Sequence, residues 1–180
     1  MRSLIHLLWR GGGATALLLL ALPLSAQTVR PEPLQGPSNL EELARLSDVV
    51  VVGRVVRNSS RWVGKVIVTT SEVRTLETFK GQPPSLLEVS FLGGTVGVIH
   101  QDATHEPTLT EGEVAVLFLA APPPSPQGRP QIEGLRIVAE DGKLPLLAPG
   151  EPESRLKNDR RLQRFLREVA ERVTKGGPQR

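Results

Sequence analysis

Four consecutive valines, Val49–Val52, constrain this chain more than any other feature. Successive side chains of an extended strand point to opposite faces. Such a run is either buried on both faces of a sheet or part of a strongly curved barrel strand. Gly53 follows and permits a bulge or bend. The strand starting at Asp48 runs past Asn58 to Trp62, and Val63-Gly64 reads as a turn. Lys65–Phe79, rich in Val, Ile and Thr, reads as a long second strand ended by Lys80-Gly81-Gln82-Pro83-Pro84. Leu86–Leu92 gives a third strand, Gly93-Gly94 breaks it, and Thr95–His100 gives a fourth. Residues 101–112 read as loop, and the apolar Val114–Ala120 as a core strand. Ala121–Pro130 carries five prolines and reads as a polyproline-like surface loop. Ile132–Ala139 and Lys143–Leu147 are expected to form a hairpin around Asp141-Gly142.

The two ends read differently. Arg2, His6 and Arg10 form a basic region, Ala14–Leu24 is an apolar run, and Leu24-Ser25-Ala26 offers small residues for cleavage. This is the three-part pattern of a signal peptide over residues 1–26. The run falls short of the ~20 residues of a spanning helix. The mature chain, cut near Ala26, is expected to be exported to the periplasm or beyond, with no transmembrane segment. Residues 27–37 read as a flexible leader. Ser38 and Glu41 have capping-box spacing for a short helix with Leu40, Leu43 and Ala44 on one face. Residues 38–150 form the predicted β domain, and residues 151–180 an amphipathic helix and tail. There, Leu162, Phe165, Leu166, Val169 and Val173 make one apolar stripe of a helix over Asp159–Thr174, with Asn158 as its cap.

Composition narrows the chemistry. The chain has no cysteine, which excludes a disulfide framework, a thiolate metal site and a Cys nucleophile. It holds 22 basic and 19 acidic residues; without residues 1–26 the net charge is +1. Residues 27–150 are net −3 and their aromatics are Trp62, Phe79, Phe91 and Phe118, a poor basis for nucleic-acid binding. No G-x-S-x-G or phosphate-loop motif occurs, so no catalytic constellation is recognisable.

Three groups of residues stand out. His100, Asp102 and His105, with Glu106 beside them, carry imidazole and carboxylate groups suited to a divalent metal, the one cofactor this sequence suggests. Trp62, next to Arg61 at a hairpin tip, either anchors a partner or caps the core. Arg160, Arg164 and Arg167 share one helical face opposite the apolar stripe. That face either docks on an anionic surface or is simply solvated, eased by Glu168–Arg172 and Glu171–Lys175 pairs.

The strands predict a mainly β fold: a small OB-like β-barrel with a short N-terminal helix and a C-terminal amphipathic α-helix. The succession SDVVVVGRVV, RWVGKVIVTTSEVRTLETFKG, LLEVSFLGGTVG and EGEVAVLFLA, over about residues 39–145, resembles a group of exported bacterial proteins. Their domain is similar to the OB-fold of netrin and tissue-metalloproteinase-inhibitor (NTR-like) modules. Lys80-Gly81, Gly93-Gly94 and Gly112-Glu113 stand at the ends of its strands. The animal inhibitors act through an N-terminal cysteine on the protease metal, and this chain has none, so the resemblance implies a fold and not that mechanism. The sequence thus points to an exported, non-catalytic binding or regulatory module with a protein partner. The alternatives are a metal-dependent protein and a binder of anionic envelope surfaces.

Overall fold

The valine run sits at the centre of the molecule. The computed structural model describes residues 40–122, 124 and 132–176. The signal-peptide pattern, the leader, the Ser38 cap and most of the proline-rich stretch lie outside the described residues. The run belongs to strand β1 (Val49–Val63), which pairs antiparallel with β2 (Val66–Lys80) on one side and β6 (Val114–Ala120) on the other. Val50 and Val52 pack with Val114, Val116 and Phe118 on one face. Val51 and Val55 pack with Ala115, Leu117 and Leu119 on the other. Both faces of the valine run are therefore covered, and the alternation along β6 is in step with it.

β2 pairs in turn with β3 (Leu86–Leu92), and the far side of β6 pairs with β7 (Arg136–Ile137) and β8 (Lys143–Leu147). The sheet order is β3-β2-β1-β6-β7, with β8 also on β6. The two outer strands meet at one point. Val89 forms an isolated parallel bridge with Leu135; the Ser90 N–H donates to the Leu135 carbonyl at 2.8 Å, and the Leu135 N–H to the Glu88 carbonyl at 2.9 Å. No ladder continues from this bridge, so the sheet is not closed into the barrel that the strand pattern predicts. The fold is mainly β with a C-terminal helix.

Two expected elements are rearranged. Ile132–Ala139 and Lys143–Leu147 do not pair with each other: β7 and β8 both run antiparallel to β6 along the same edge. Asp141-Gly142 lies in the 3-10 turn Glu140–Gly142 that interrupts this edge, and the β6 edge supplies the partners a hairpin would have supplied. The expected single strand Thr95–His100 is instead a small hairpin of β4 (Gly94–Val96) and β5 (Ile99–Gln101), turning at Gly97-Val98.

Helices cover one face of the sheet. α1 (Leu40–Leu46) buries Leu40, Leu43 and Ala44. The Lys80 ammonium at the end of β2 donates to the carbonyls of Ala44 (2.7 Å) and Ser47 (2.6 Å), closing its C-terminus. A short α2 (Ser154–Asn158) leads into α3 (Arg160–Gly176). The predicted stripe Leu162, Phe165, Leu166, Val169 and Val173 is buried, sharing one core with α1 and the sheet. The cap of α3 is Asp159, not Asn158: its Oδ1 accepts the N–H of Arg161 at 2.8 Å and of Leu162 at 3.4 Å. No helix of the described residues is long and apolar enough to cross a membrane.

Candidate functional site

The β1–β2 ribbon is long because thirteen residue pairs hold it, and its tip projects beyond the rest of the sheet as far as Gly64. Gly64 adopts φ +65°, which a tight two-residue turn between Val63 and Val66 demands. The β4–β5 hairpin is pinned across this end of the ribbon. The Gly93 N–H donates to the Ile67 carbonyl at 2.8 Å, and the Ile67 N–H to Gln101 Oε1 at 2.7 Å. The Thr69 hydroxyl donates to the Gly93 carbonyl at 2.7 Å and lies 2.8 Å from the Ser60 hydroxyl. Gly94, at φ +124°, sits directly on these two hydroxyls, where any Cβ would collide with both.

A cavity of about 290 Å³ opens between the ribbon end and the small hairpin, lined by Asn58, Ser60, Thr69, Phe91, His100 and Asp102 among others. Asn58 holds its far wall, donating to the Leu109 carbonyl at 2.7 Å while accepting from the Ser71 hydroxyl at 2.6 Å. On its rim His100 links two groups: Nδ1 is 2.9 Å from the Thr95 hydroxyl, and Nε2 is 2.9 Å from Asp102 Oδ1. With Nε2–H directed at the carboxylate, the Nδ1 lone pair accepts from Thr95, which fixes ring orientation and tautomer. Both partners are exposed, so this pair orients the ring more than it stabilises the fold.

His105 lies elsewhere. Its Nδ1 is 3.1 Å from Glu140 Oε2, in the turn between β7 and β8, and it lines a separate cavity of about 430 Å³ with Leu46, Arg136 and Ile137. Glu106, next to it, is taken by Arg136. His100, Asp102 and His105 therefore do not converge: His100 is engaged by Asp102 and Thr95, and His105 by Glu140 on a separate cavity. Among the described residues no three His, Asp or Glu side chains are grouped to hold a metal ion. His105 is also the one non-glycine residue of the described set with positive φ, +65°, a conformation that histidine tolerates better than most residues.

Trp62 does not cap a core: it is 45 % exposed, one residue before the ribbon turn. Arg61 beside it lies 4.0 Å from Glu133. At the same end of the molecule, Val98 and Ile99 at the tip of the β4–β5 hairpin are 102 % and 50 % exposed. The residues singled out at Trp62 and at His100-Asp102 are thus brought together at one end. Arg160, Arg164 and Arg167 lie apart from them, exposed on the outer face of α3.

Sequence reasoning missed the charges that hold this frame. The Arg54 guanidinium, 17 % exposed, donates to Glu153 Oε1 (2.6 Å), the Gly112 carbonyl (2.7 Å) and the Glu151 carbonyl (3.0 Å), tying the approach to α2 onto β1. Lys143 donates to Glu113 at 3.1 Å and to the Thr108 carbonyl at 2.6 Å, holding the loop behind the cavity. The signal was present: Arg54, Lys80 and Glu113 each stand beside a glycine, Arg54 within an apolar strand and the other two at a strand's end. No family model matches the chain, and no curated protein matches it.

Proposed function

We propose that this protein is an exported, non-catalytic binding module of the cell envelope or secreted space, and that it takes a protein partner at the end carrying Trp62. The observation that carries the reading is the placement of three solvated apolar side chains, Trp62, Val98 and Ile99, on two hairpins pinned to each other beside a cavity whose largely apolar wall carries the polar groups of Asn58, Ser60, Thr69 and His100. Large apolar groups held in water around a concavity are what an interaction site needs: an aromatic anchor with polar groups to set register.

The reading places the domain among OB-like folds of the NTR-like kind. The strand path β3-β2-β1-β6-β7, with its parallel contact between the outer strands, supports this, since OB-folds are partly open five-stranded barrels. Export rests on the pattern of residues 1–26 and is tested by sequencing the N-terminus of the protein from the extracytoplasmic fraction. A start near Gln27 supports the reading, and an intact Met1 in the cytoplasm contradicts it.

The binding reading is tested with the tagged chain crosslinked in its native host. One dominant protein adduct is expected for the parent. Trp62→Ala and Ile99→Asn each lower its yield or affinity by roughly tenfold or more. Adducts that are diffuse, or indifferent to both substitutions, sink the reading.

A further inference from the structure

Arginines in this fold are paired. Of the twelve among the described residues, eight lie within ion-pair distance of a carboxylate, from Arg45 with Glu42 in α1 to Arg172 with Glu41 and Glu168 in α3. The other four are Arg160, Arg161, Arg164 and Arg167. All four are exposed, and all lie within the first eight residues of α3.

This placement opposes folding twice over. The N-terminal end of a helix carries the positive pole of its dipole, which disfavours the two cations of the first turn, Arg160 and Arg161. Arg164 stands three or four residues from each of the other three arginines, the spacing at which like charges repel. Such a cluster is relieved when an external anion covers it. The buried stripe of α3 faces the sheet, so Arg160, Arg164 and Arg167 face outward together, with Arg161 on the flank, over about 10 Å of helix.

The chemistry selects the anion. Clustered arginine cations attract phosphate oxygens by charge, as they do carboxylates. Nucleic acid is disfavoured, because the aromatic of this segment, Phe165, is buried and unable to stack a base. Residues 27–150 are net −3, so a large polyanion finds attraction on one face only. A planar array of phosphates meets a straight helix face without wrapping the acidic remainder. We propose that α3 docks the protein on the surface of an anionic phospholipid bilayer through Arg160, Arg161, Arg164 and Arg167, its axis lying along the membrane plane. This surface is separate from the Trp62 end, so either reading stands or falls alone.

Co-sedimentation of the full chain with vesicles tests the proposal, using roughly 30 mol % phosphatidylglycerol in phosphatidylcholine against phosphatidylcholine alone. Because residues 14–24 are apolar in any full-length preparation, the readout is the difference between lipids and between variants. The expected result is preference for the anionic vesicles that fades with added salt. Changing all four arginines to Gln lowers that binding roughly tenfold or more, and changing all four to Lys preserves most of it. Removing the same charge at Arg45, Arg57, Arg61 and Arg155 leaves binding within about twofold. Circular dichroism shows that the Gln variant is folded, as expected for exposed side chains. Equal binding to both lipids, or a loss from the control variant equal to that from the Gln variant, overturns the proposal. So does capture by soluble polyglutamate with no binding to anionic vesicles, which would assign the face to an acidic polypeptide.

Discussion

At the scale of single residues, the fold depends on a few charges inserted where the chain is otherwise apolar. Arg54 satisfies its guanidinium on three oxygens from two distant segments. Arg54→Ala strands two carbonyls and leaves the Glu153 carboxylate to Arg74 alone, and is expected to cost about 2–3 kcal/mol in urea unfolding. Arg54→Lys recovers less than half of this, because an ammonium cannot span the same fork. Asp159 offers a pH probe. Its carboxyl is held below the ordinary carboxylate value, chiefly by the Arg161 N–H, with Leu162 and Arg155 assisting against desolvation. A pKa lowered by folding adds stability above the unfolded value and loses it as pH falls through the folded one. Asp159→Ala is expected to lower the melting temperature near neutrality, and that deficit shrinks as the medium becomes acidic. A deficit that grows on acidification contradicts this role. Little at this scale was legible in sequence. Trp62 could be read as anchor or core, since exposure at a hairpin tip depends on what packs across the ribbon. The separation of His100 from His105 depends on Glu140, which lies 35 residues from His105 and cannot be found from local spacing.

At the scale of elements, periodicity was the better guide. The burial of Leu162, Phe165, Leu166, Val169 and Val173 follows their 3.6-residue spacing. Phe165→Ala is expected to cost about 3–4 kcal/mol by opening a cavity against the sheet. Arg164→Ala, on the opposite face, stays within about 0.5 kcal/mol. The long strands and Val114–Ala120 were legible because runs of β-branched residues have few other options. The short elements were not. Gly97-Val98 turns within what reads as one strand, and the β7–β8 edge takes its partner from β6 instead of from itself. Both outcomes depend on which unpaired edge is nearest in space. The meeting of β3 with Leu135 tests the OB-like reading at this scale. The Leu135 amide, donating to the Glu88 carbonyl, is expected to exchange with solvent as slowly as its β6 neighbours. Exchange at loop rates would mean that the outer strands do not hold each other.

At the scale of the whole molecule, two surfaces differ in chemistry. One end carries exposed apolar groups beside a cavity; the outer face and flank of α3 carry four arginines with no ion-pair partner among the described residues. A module that sits on an anionic surface by one face and presents an aromatic-tipped end to a partner uses both. The binding claim is central, and site-specific photocrosslinking in the native host tests it most directly. A photoreactive residue replaces Val98 in one strain and Glu171, on the α3 surface, in another. The prediction is a single protein adduct from position 98 that is absent from position 171 and lost when Trp62→Ala is added. The same set of adducts from both positions, or none from position 98, would contradict a partner at this end of the molecule.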